Sequence, residues 1–181
     1  MPSPKGDPTF IKNKDRYFIN VAQAIGEAST HPKSPGGCII VRDREIIGNG
    51  RNLLTDSKVE IDCISYAVAA AAKAGTPAIG AVIYSTRYPF STSIFQAHMM
   101  GIRKIVILAH EWEPYYREEF RRAGRLAREL QISIEPIFLN EDPRFTKNTN
   151  DRNIDPILFP EANPFSPDEY DPDNATDTFD E

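Results

Sequence analysis

Cysteine is scarce in this chain, and so is any long apolar run. Two cysteines, Cys38 and Cys63, stand among 181 residues, which is too few for a disulfide framework. Both lie in apolar contexts, as is typical of reduced, buried thiols in a reducing compartment. No uncharged apolar run approaches the roughly 20 residues that a membrane-spanning helix needs. The first ten residues contain no apolar core of a signal peptide. The sequence therefore predicts a soluble, cytoplasmic protein that does not associate with a membrane.

Charge is distributed unevenly along the chain. Residues 1–138 contain 18 Lys and Arg against 14 Asp and Glu, a net charge of +4. Residues 139–181 contain 3 against 12, a net charge of −9. We expect the acidic segment either to stay solvated or to lie across the basic body. Nucleic acid is not the partner that this balance favours.

The hydrophobic periodicity divides the chain into a flexible arm at residues 1–14, one domain at residues 15–138 and an acidic tail rich in Pro and Asp at residues 139–181. Helices are predicted from Asp15 to about Gly26, Asp62 to Ala74, Ser91 to Met100 and Pro114 to Leu130. Strands are predicted at Cys38–Val41, Ile46–Ile47, Ala81–Ser85, 101–109 and Ile132–Phe138. The last strand–helix–strand unit needs a right-handed crossover, so its strands should be parallel. The sequence predicts an α/β protein, a three-layer α/β/α sandwich with a mixed five-stranded sheet.

A polar segment punctuated by glycine, residues 48–58, follows the predicted hairpin. We expect this segment to leave the sheet as a long loop, and such a loop can line a pocket.

Four motifs occur in a characteristic order: GCIIVRDREIIGNGRN, DCISYAVAAAAKAG, YSTRYP and GIRKIVI. They resemble the first hairpin, the metal-site helix, the strand-to-turn segment and the following strand of the cytidine and deoxycytidylate deaminases. The resemblance covers roughly residues 15–138. It implies the cytidine deaminase-like fold, in which two helix N-termini are directed at one point. The parallel last strands fit the deoxycytidylate and tRNA-adenosine branch of that superfamily.

The residues that carry the chemistry of this family differ here. Family members hydrolyse an exocyclic amine with a zinc-activated water and a proton-shuttling Glu, and their signature is H-x-E followed by P-C-x-x-C. The matching positions hold Asp62 for the His, Ile64 for the Glu, and Phe90 and Ser93 for the two Cys. Catalytic zinc takes three protein ligands and leaves one position open. A phenyl ring cannot coordinate zinc, and a serine hydroxyl is a poor ligand. The resemblance thus implies the frame of the family without catalytic residues, metal or other cofactor.

No alternative register restores the site. A shift by two residues places Glu60 and Asp62 in the H-x-E positions, but it breaks the Ala/Val pattern of the helix and supplies no thiolates. The three histidines, His31, His98 and His110, are scattered over separate elements.

The first functional hypothesis is a family member that no longer deaminates. It would either bind a nucleotide in the old pocket or serve as a non-catalytic subunit, in a homo-oligomer or beside an active paralogue. For nucleotide binding, the candidate residues are Asn52, Thr86, Asp62 and Ser91. Asn52 falls where the family usually has a sugar-contacting Asn, and it is equally well interpreted as a turn-forming Asn. The sequence leaves open whether Phe90 and Tyr88 fill the pocket.

The second hypothesis is an active enzyme with a non-standard site, a hydrolase acting on C–N bonds of amidines. Asp62, Ser91 and Ser93 would face each other at two helix N-termini, a polar position suited to an anion or a hydroxylated ligand. The competing interpretation is that Asp62 and Ser91 are N-caps. Cys63 has no evident base partner, so a buried core thiol is favoured over a nucleophile.

The third hypothesis is a scaffold that binds partners through the acidic tail, residues 139–181, against a tail that only adds solubility. Four arginines also fall along one flank of the last predicted helix: Arg117, Arg121, Arg125 and Arg128. Glutamates interleave with them at salt-bridge spacing, which favours a self-paired, solvated face over a phosphate-binding one.

Overall fold

The fold is taken from a computed structural model, which describes residues 14–109 and 116–137. The predicted tail at residues 139–181 and Pro114 lie outside the described residues, as does all of the predicted arm except its last residue.

The described residues form four helices and seven strands. The helices are α1 (Lys14–Gly26), α2 (Cys63–Lys73), α3 (Ser91–Met99) and α4 (Arg117–Glu129). The strands are β1 (Gly37–Arg42), β2 (Glu45–Arg51), β3 (Leu53–Leu54), β4 (Glu60–Ile61), β5 (Val82–Ser85), β6 (Lys104–Leu108) and β7 (Ser133–Ile137). Most predicted boundaries agree to within one or two residues, which is the usual uncertainty at element ends. None of the described helices has the length and apolar character needed to cross a membrane.

Five strands form one mixed sheet in the order β2-β1-β5-β6-β7. The strand β1 pairs antiparallel with both β2 and β5, whereas β5, β6 and β7 are parallel. The helices α3 and α4 form the two crossovers between the parallel strands, so both helices begin at the carboxyl edge of those strands. The predicted mixed five-stranded sheet and its parallel last strands are confirmed.

Helices cover both faces of the sheet. On one face, α1 packs Phe18, Ile19 and Ala22 against buried residues of β1, β5 and β6. The hydroxyl of Tyr84 on β5 donates a hydrogen bond of 2.7 Å to Asp15 Oδ1 at the start of α1, and burial followed by this hydrogen bond raises the pKa of Tyr84. On the other face, α2, α3 and α4 pack against the larger apolar core. The result is the predicted three-layer α/β/α sandwich.

The strand β2 is longer than the sequence predicts. It continues through Arg51, and β3 and β4 form a separate antiparallel pair, so the prediction of a loop beginning at residue 48 is wrong. Gly48 and Gly50 do not form a turn; they allow α2 to pack closely against β2. A Cβ atom on Gly50 would lie 2.3 Å from the carbonyl oxygen of Cys63, and one on Gly48 would lie 3.0 Å from that of Ala67. Glycine in this strand allows α2 to lie directly on the sheet.

Candidate functional site

The side chain of Asp62 caps the N-terminus of α2. Its backbone is extended, with φ −74° and ψ 155°, and its Oδ1 accepts hydrogen bonds of 3.0 Å from the backbone N–H groups of Ile64 and Ser65. These N–H groups have no partner within the helix, and an Asp side chain is among the best to satisfy them. The N-cap interpretation of Asp62 is confirmed.

The hydroxyl of Ser93, in the first turn of α3, donates to the same Asp62 oxygen over 2.9 Å. Ser93 is fully buried, and Ser65 Oγ lies 3.5 Å from its hydroxyl. A buried hydroxyl needs such a partner, because leaving it unpaired costs about 1–3 kcal/mol. The structure thus joins two of the predicted zinc-ligand positions by one hydrogen bond between helix N-termini.

The third ligand position, Phe90, immediately precedes α3 and is half-buried in an aromatic cluster made of Tyr88, Phe90, Tyr116 and Phe120. The ring centroid of Phe90 lies 5.3 Å from that of Tyr116 and 6.0 Å from that of Phe120, and the Tyr88 and Phe120 centroids are 5.0 Å apart. These are distances of favourable aromatic packing. The ring is therefore held in place by its neighbours.

Three rings of the aromatic cluster, those of Tyr88, Phe90 and Phe120, line a small cavity at the carboxyl edge of β5. Asp62, Ile64, Tyr88 and Phe90 line the cavity, whereas Ser93 does not line it and is linked to it through its hydrogen bond to Asp62. The cavity volume is about 10 Å³, room for about one water molecule. Pockets for small molecules typically measure a few hundred Å³. Tyr88 and Phe90 both line a cavity that is too small for a nucleotide base.

At the position of the proton-shuttling Glu, the side chain of Ile64 is 1% exposed and belongs to the apolar core. It carries no group that could accept or release a proton.

Ser91 does not act as the predicted N-cap. It is the first residue of α3, the N-cap position is held by Phe90, and Ser91 does not line the cavity. Its backbone N–H donates to Glu119 Oε1 over 2.8 Å, and its hydroxyl donates to the same oxygen. A carboxylate from α4 thus satisfies the N-terminus of α3, because Phe90 offers no acceptor. The three predicted side chains do not all face each other, since only Asp62 and Ser93 meet.

Asn52 bridges the end of β2 and the start of α2. It is 3% exposed and lines the cavity. Its Oδ1 accepts from the N–H of Cys63 over 2.7 Å, and its Nδ2 donates to the carbonyl of Ser34 over 2.7 Å. Its side chain therefore supports the frame of the site, and a role in substrate binding stays a prediction.

Thr86 lies beyond the end of β5 and does not line the cavity. Its Oγ1 accepts from the N–H of Gly37 over 3.0 Å, which ties the start of β1 to the end of β5. Substrate binding by Thr86 also stays a prediction.

The sequence did not predict that Glu60, Tyr116 and His31 meet beside the cavity. The carboxylate of Glu60 lines the cavity and accepts from the hydroxyl of Tyr116, at 2.9 Å from each oxygen. His31 Nε2 lies 3.5 Å from Glu60 Oε1, and its Nδ1 accepts from the N–H of Ser34 over 2.8 Å. These residues come from three separate segments of the chain, so no local sequence spacing could predict that they meet. Ser34, Arg87 and Phe120 complete the missed lining.

The thiols of Cys38 and Cys63 are buried and not disulfide-bonded. Burial, followed by the charge of Asp62, raises the pKa of Cys63 to about 12. Burial also raises the pKa of Cys38. Because the thiolate is the nucleophile, this supports the interpretation of both residues as core cysteines.

The residues at the family's metal position do not fit a zinc ion. One carboxylate, one phenyl ring and one hydroxyl stand where nitrogen and sulfur ligands are preferred. The Asp62 Oδ1 atom already accepts three hydrogen bonds. Within residues 14–109 and 116–137, no group of three or more His, Cys, Asp or Glu residues is placed to hold a metal.

A mixed five-stranded sheet, with two helices beginning together at the carboxyl edge of its central strand, defines the cytidine deaminase-like fold. Residues 12–109 match the model of the cytidine and deoxycytidylate deaminase zinc-binding region. The chain belongs to this family of hydrolytic deaminases, as the sequence resemblance implied.

Individual relatives agree with this assignment. ComE operon protein 2 of Bacillus subtilis (strain 168) is 30% identical, over 70% of this chain and 72% of its own length. The dCMP deaminase of cyanophage S-TIM5, solved in apo form, gives a TM-score of 0.58 at 14% identity, over 69% of this chain and 98% of that one. The same phage enzyme has been solved in complex with dCMP and dUMP. A Thermotoga maritima diaminohydroxyphosphoribosylaminopyrimidine deaminase/reductase gives a TM-score of 0.56 at 19% identity, over 67% of this chain and 36% of that one. At these identities the solved structures support the fold alone.

The hydrogen bond between Asp62 and Ser93 generates a prediction for a double-mutant cycle. Asp62→Ala removes a helix cap, which costs about 0.5–2 kcal/mol, and leaves the Ser93 hydroxyl buried without its acceptor, which costs about 1–3 kcal/mol more. Ser93→Ala removes the hydroxyl itself. Urea unfolding of both single variants and the double variant should give a coupling free energy of roughly 0.5–3 kcal/mol. Costs that simply add would contradict the hydrogen bond, and Asp62→Ala with Thr92→Ala, an exposed neighbour, is the matched control.

Proposed function

We propose that this chain is a deaminase-family member that binds no zinc, does not deaminate, and acts as a non-catalytic partner subunit. The observation that carries the proposal is the packing of Phe90. The resemblance assigns Phe90 to a metal-ligand position, and its ring packs against those of Tyr116 and Phe120. A working site needs that space for the metal and the substrate ring.

The polar groups around the cavity support the same proposal, because they are bonded to the protein itself. Asp62 bonds to α2 and Ser93, and Asn52 bonds to Cys63 and Ser34. A nucleotide would have to displace these contacts and the aromatic rings together. Nucleotide binding is the second candidate function. It is supported by the position of Asn52 at the cavity and by the dCMP and dUMP complex of the phage relative.

A partner role is supported by the outer surface of α3. Phe95 and Met99 lie one turn apart and are 53% and 69% exposed, and the nearby Ile79 is 68% exposed. Met99 and Ile79 border an open groove of about 370 Å³ between the ends of α2 and α3. Exposed apolar surface of this kind often marks a protein interface. We infer that a second subunit of the same fold, either another copy of this chain or an active paralogue, covers it.

Turnover and nucleotide binding can be measured on the same preparation. Incubation with cytidine and with dCMP should release no ammonia above the protein-free rate, while an active family member assayed in parallel does. Neither dCMP nor dUMP should raise the melting temperature. Ammonia release would contradict the loss of activity. Saturable stabilisation that Asn52→Ala weakens, with Asn49→Ala as an exposed control on the same strand, would favour the nucleotide-binding alternative.

The partner surface predicts the oligomeric state. Phe95→Ser with Met99→Ser should lower the molar mass measured by light scattering after size exclusion, and the neighbouring exposed Gln96→Ser should leave it unchanged. If the purified chain is monomeric, it should be mixed with an active family member from the same genome. The parent chain should then co-elute with that paralogue in size exclusion, and the double variant should not. A variant that assembles like the parent in both arms would argue against this surface.

A further inference from the structure

The arginine flank of α4 is a positively charged stripe that the proposed function does not use. It consists of Arg117, Arg121, Arg125 and Arg128. At about 100° and 1.5 Å per residue, the four positions fall within an arc of about 80° over a length of about 16 Å. All except the half-buried Arg121 are exposed.

Pairing within α4 neutralises only part of this charge. The helix contains five arginines and three glutamates. Glu118 pairs with Arg121 at 3.2 Å. Glu119 pairs at 3.3 Å with Arg122, which lies off the flank, and it also accepts from Ser91. Arg117 and Arg125 form no ion pair with any carboxylate in the described part of the chain. The predicted pairing within the face is thus confirmed for Arg121. The guanidinium groups of Arg117 and Arg125 remain exposed to solvent.

The chain leaves the sheet close to this flank. The strand β7 is parallel to β6, and its last residue, Ile137, accepts a hydrogen bond of 2.8 Å from the N–H of Ala109. That position lies at the carboxyl edge, where α4 also begins. Ile137 and the start of α4 therefore lie at the same edge of the sheet, and the 30 residues between Ile137 and residue 168 can span at most about 100 Å. The whole of α4, about 20 Å long, is within reach.

The segment that follows is the strongest acidic stretch of the sequence. Residues 168–181, DEYDPDNATDTFDE, contain seven carboxylate side chains and no Lys or Arg. A single exposed ion pair contributes little. A tethered segment, however, meets its target at an effective concentration on the order of millimolar, so several weak pairs act together.

We propose that the acidic segment at residues 168–181 binds in cis along the arginine flank of α4. The contact covers the flank and keeps external polyanions, such as nucleic acid, from it. This inference is independent of the zinc site and of the partner surface on α3.

A spin label on the segment tests the proposal in the full chain. Asn174→Cys supplies one reactive thiol, because burial keeps the pKa of Cys63 and Cys38 raised. In low salt, the nitroxide should broaden the amide signals of residues 117–128 selectively, and 0.5 M NaCl should at least halve the effect because the screening length shortens to a few Å. Arg117→Gln with Arg125→Gln should weaken the broadening. Arg44→Gln with Lys73→Gln, two exposed cations elsewhere, should not.

Two further arms separate the remaining outcomes. Asp171→Asn with Asp173→Asn neutralises the segment itself and should have the same effect as removing the two arginines. Mixing ¹⁵N-labelled chain without the spin label and unlabelled chain with it reports binding between molecules, and it should produce no broadening. Broadening that is uniform, lies on another element, or ignores both sets of substitutions would overturn the proposal. Equal broadening in the mixed sample would show binding in trans and would also overturn it.

Discussion

The hydrogen bond from Ser93 to Asp62 is the contact on which the rest of the site depends. It joins the N-terminus of α2 to the first turn of α3, and both residues lie within the part of the chain that matches the family model. The same Asp62 oxygen caps the N-terminus of α2. One carboxylate therefore both stabilises the start of α2 and connects α2 to α3. The buried Ser93 hydroxyl is acceptable in the core because the half-buried Asp62 carboxylate accepts its hydrogen bond. Hydrogen bonds within the protein therefore satisfy the residues that the sequence resemblance assigns to two of the metal-ligand positions.

Aromatic side chains pack next to this hydrogen bond. Tyr88, Phe90 and Phe120 line a cavity of about 10 Å³, and Tyr116 packs against the rings of Phe90 and Phe120. Glu119 also satisfies the N-terminus of α3 from outside, since the phenyl ring before that helix cannot. The two effects reinforce each other, because α4 supplies both the Glu119 carboxylate and the Phe120 ring, and Tyr116 is its N-cap residue. The helix α4 thus contributes to the cavity at its start and carries the arginine flank along its length.

Much of this architecture could be predicted from local pattern. Apolar runs and helical spacing located the elements, and the crossover rule fixed the parallel strands. The N-cap role of Asp62 followed from its place before an apolar helix. The extension of β2 was missed because Gly48 and Gly50 were interpreted as loop residues, whereas their absent side chains admit α2. Glu119 at the start of α3, and the group of His31, Glu60 and Tyr116, could not be predicted, because their partners lie 28 or more residues away.

Zinc stoichiometry measured by inductively coupled plasma mass spectrometry tests the central claim most directly. The protein should be saturated with zinc, desalted and compared with a variant that carries Asp62→His, Phe90→Cys and Ser93→Cys. The account predicts no stoichiometric zinc in the natural chain. It predicts about one zinc per chain in the variant, since the three ligand types of the deaminase site then stand together. One tightly held zinc in the natural chain, lost on Ser93→Ala, would contradict the account.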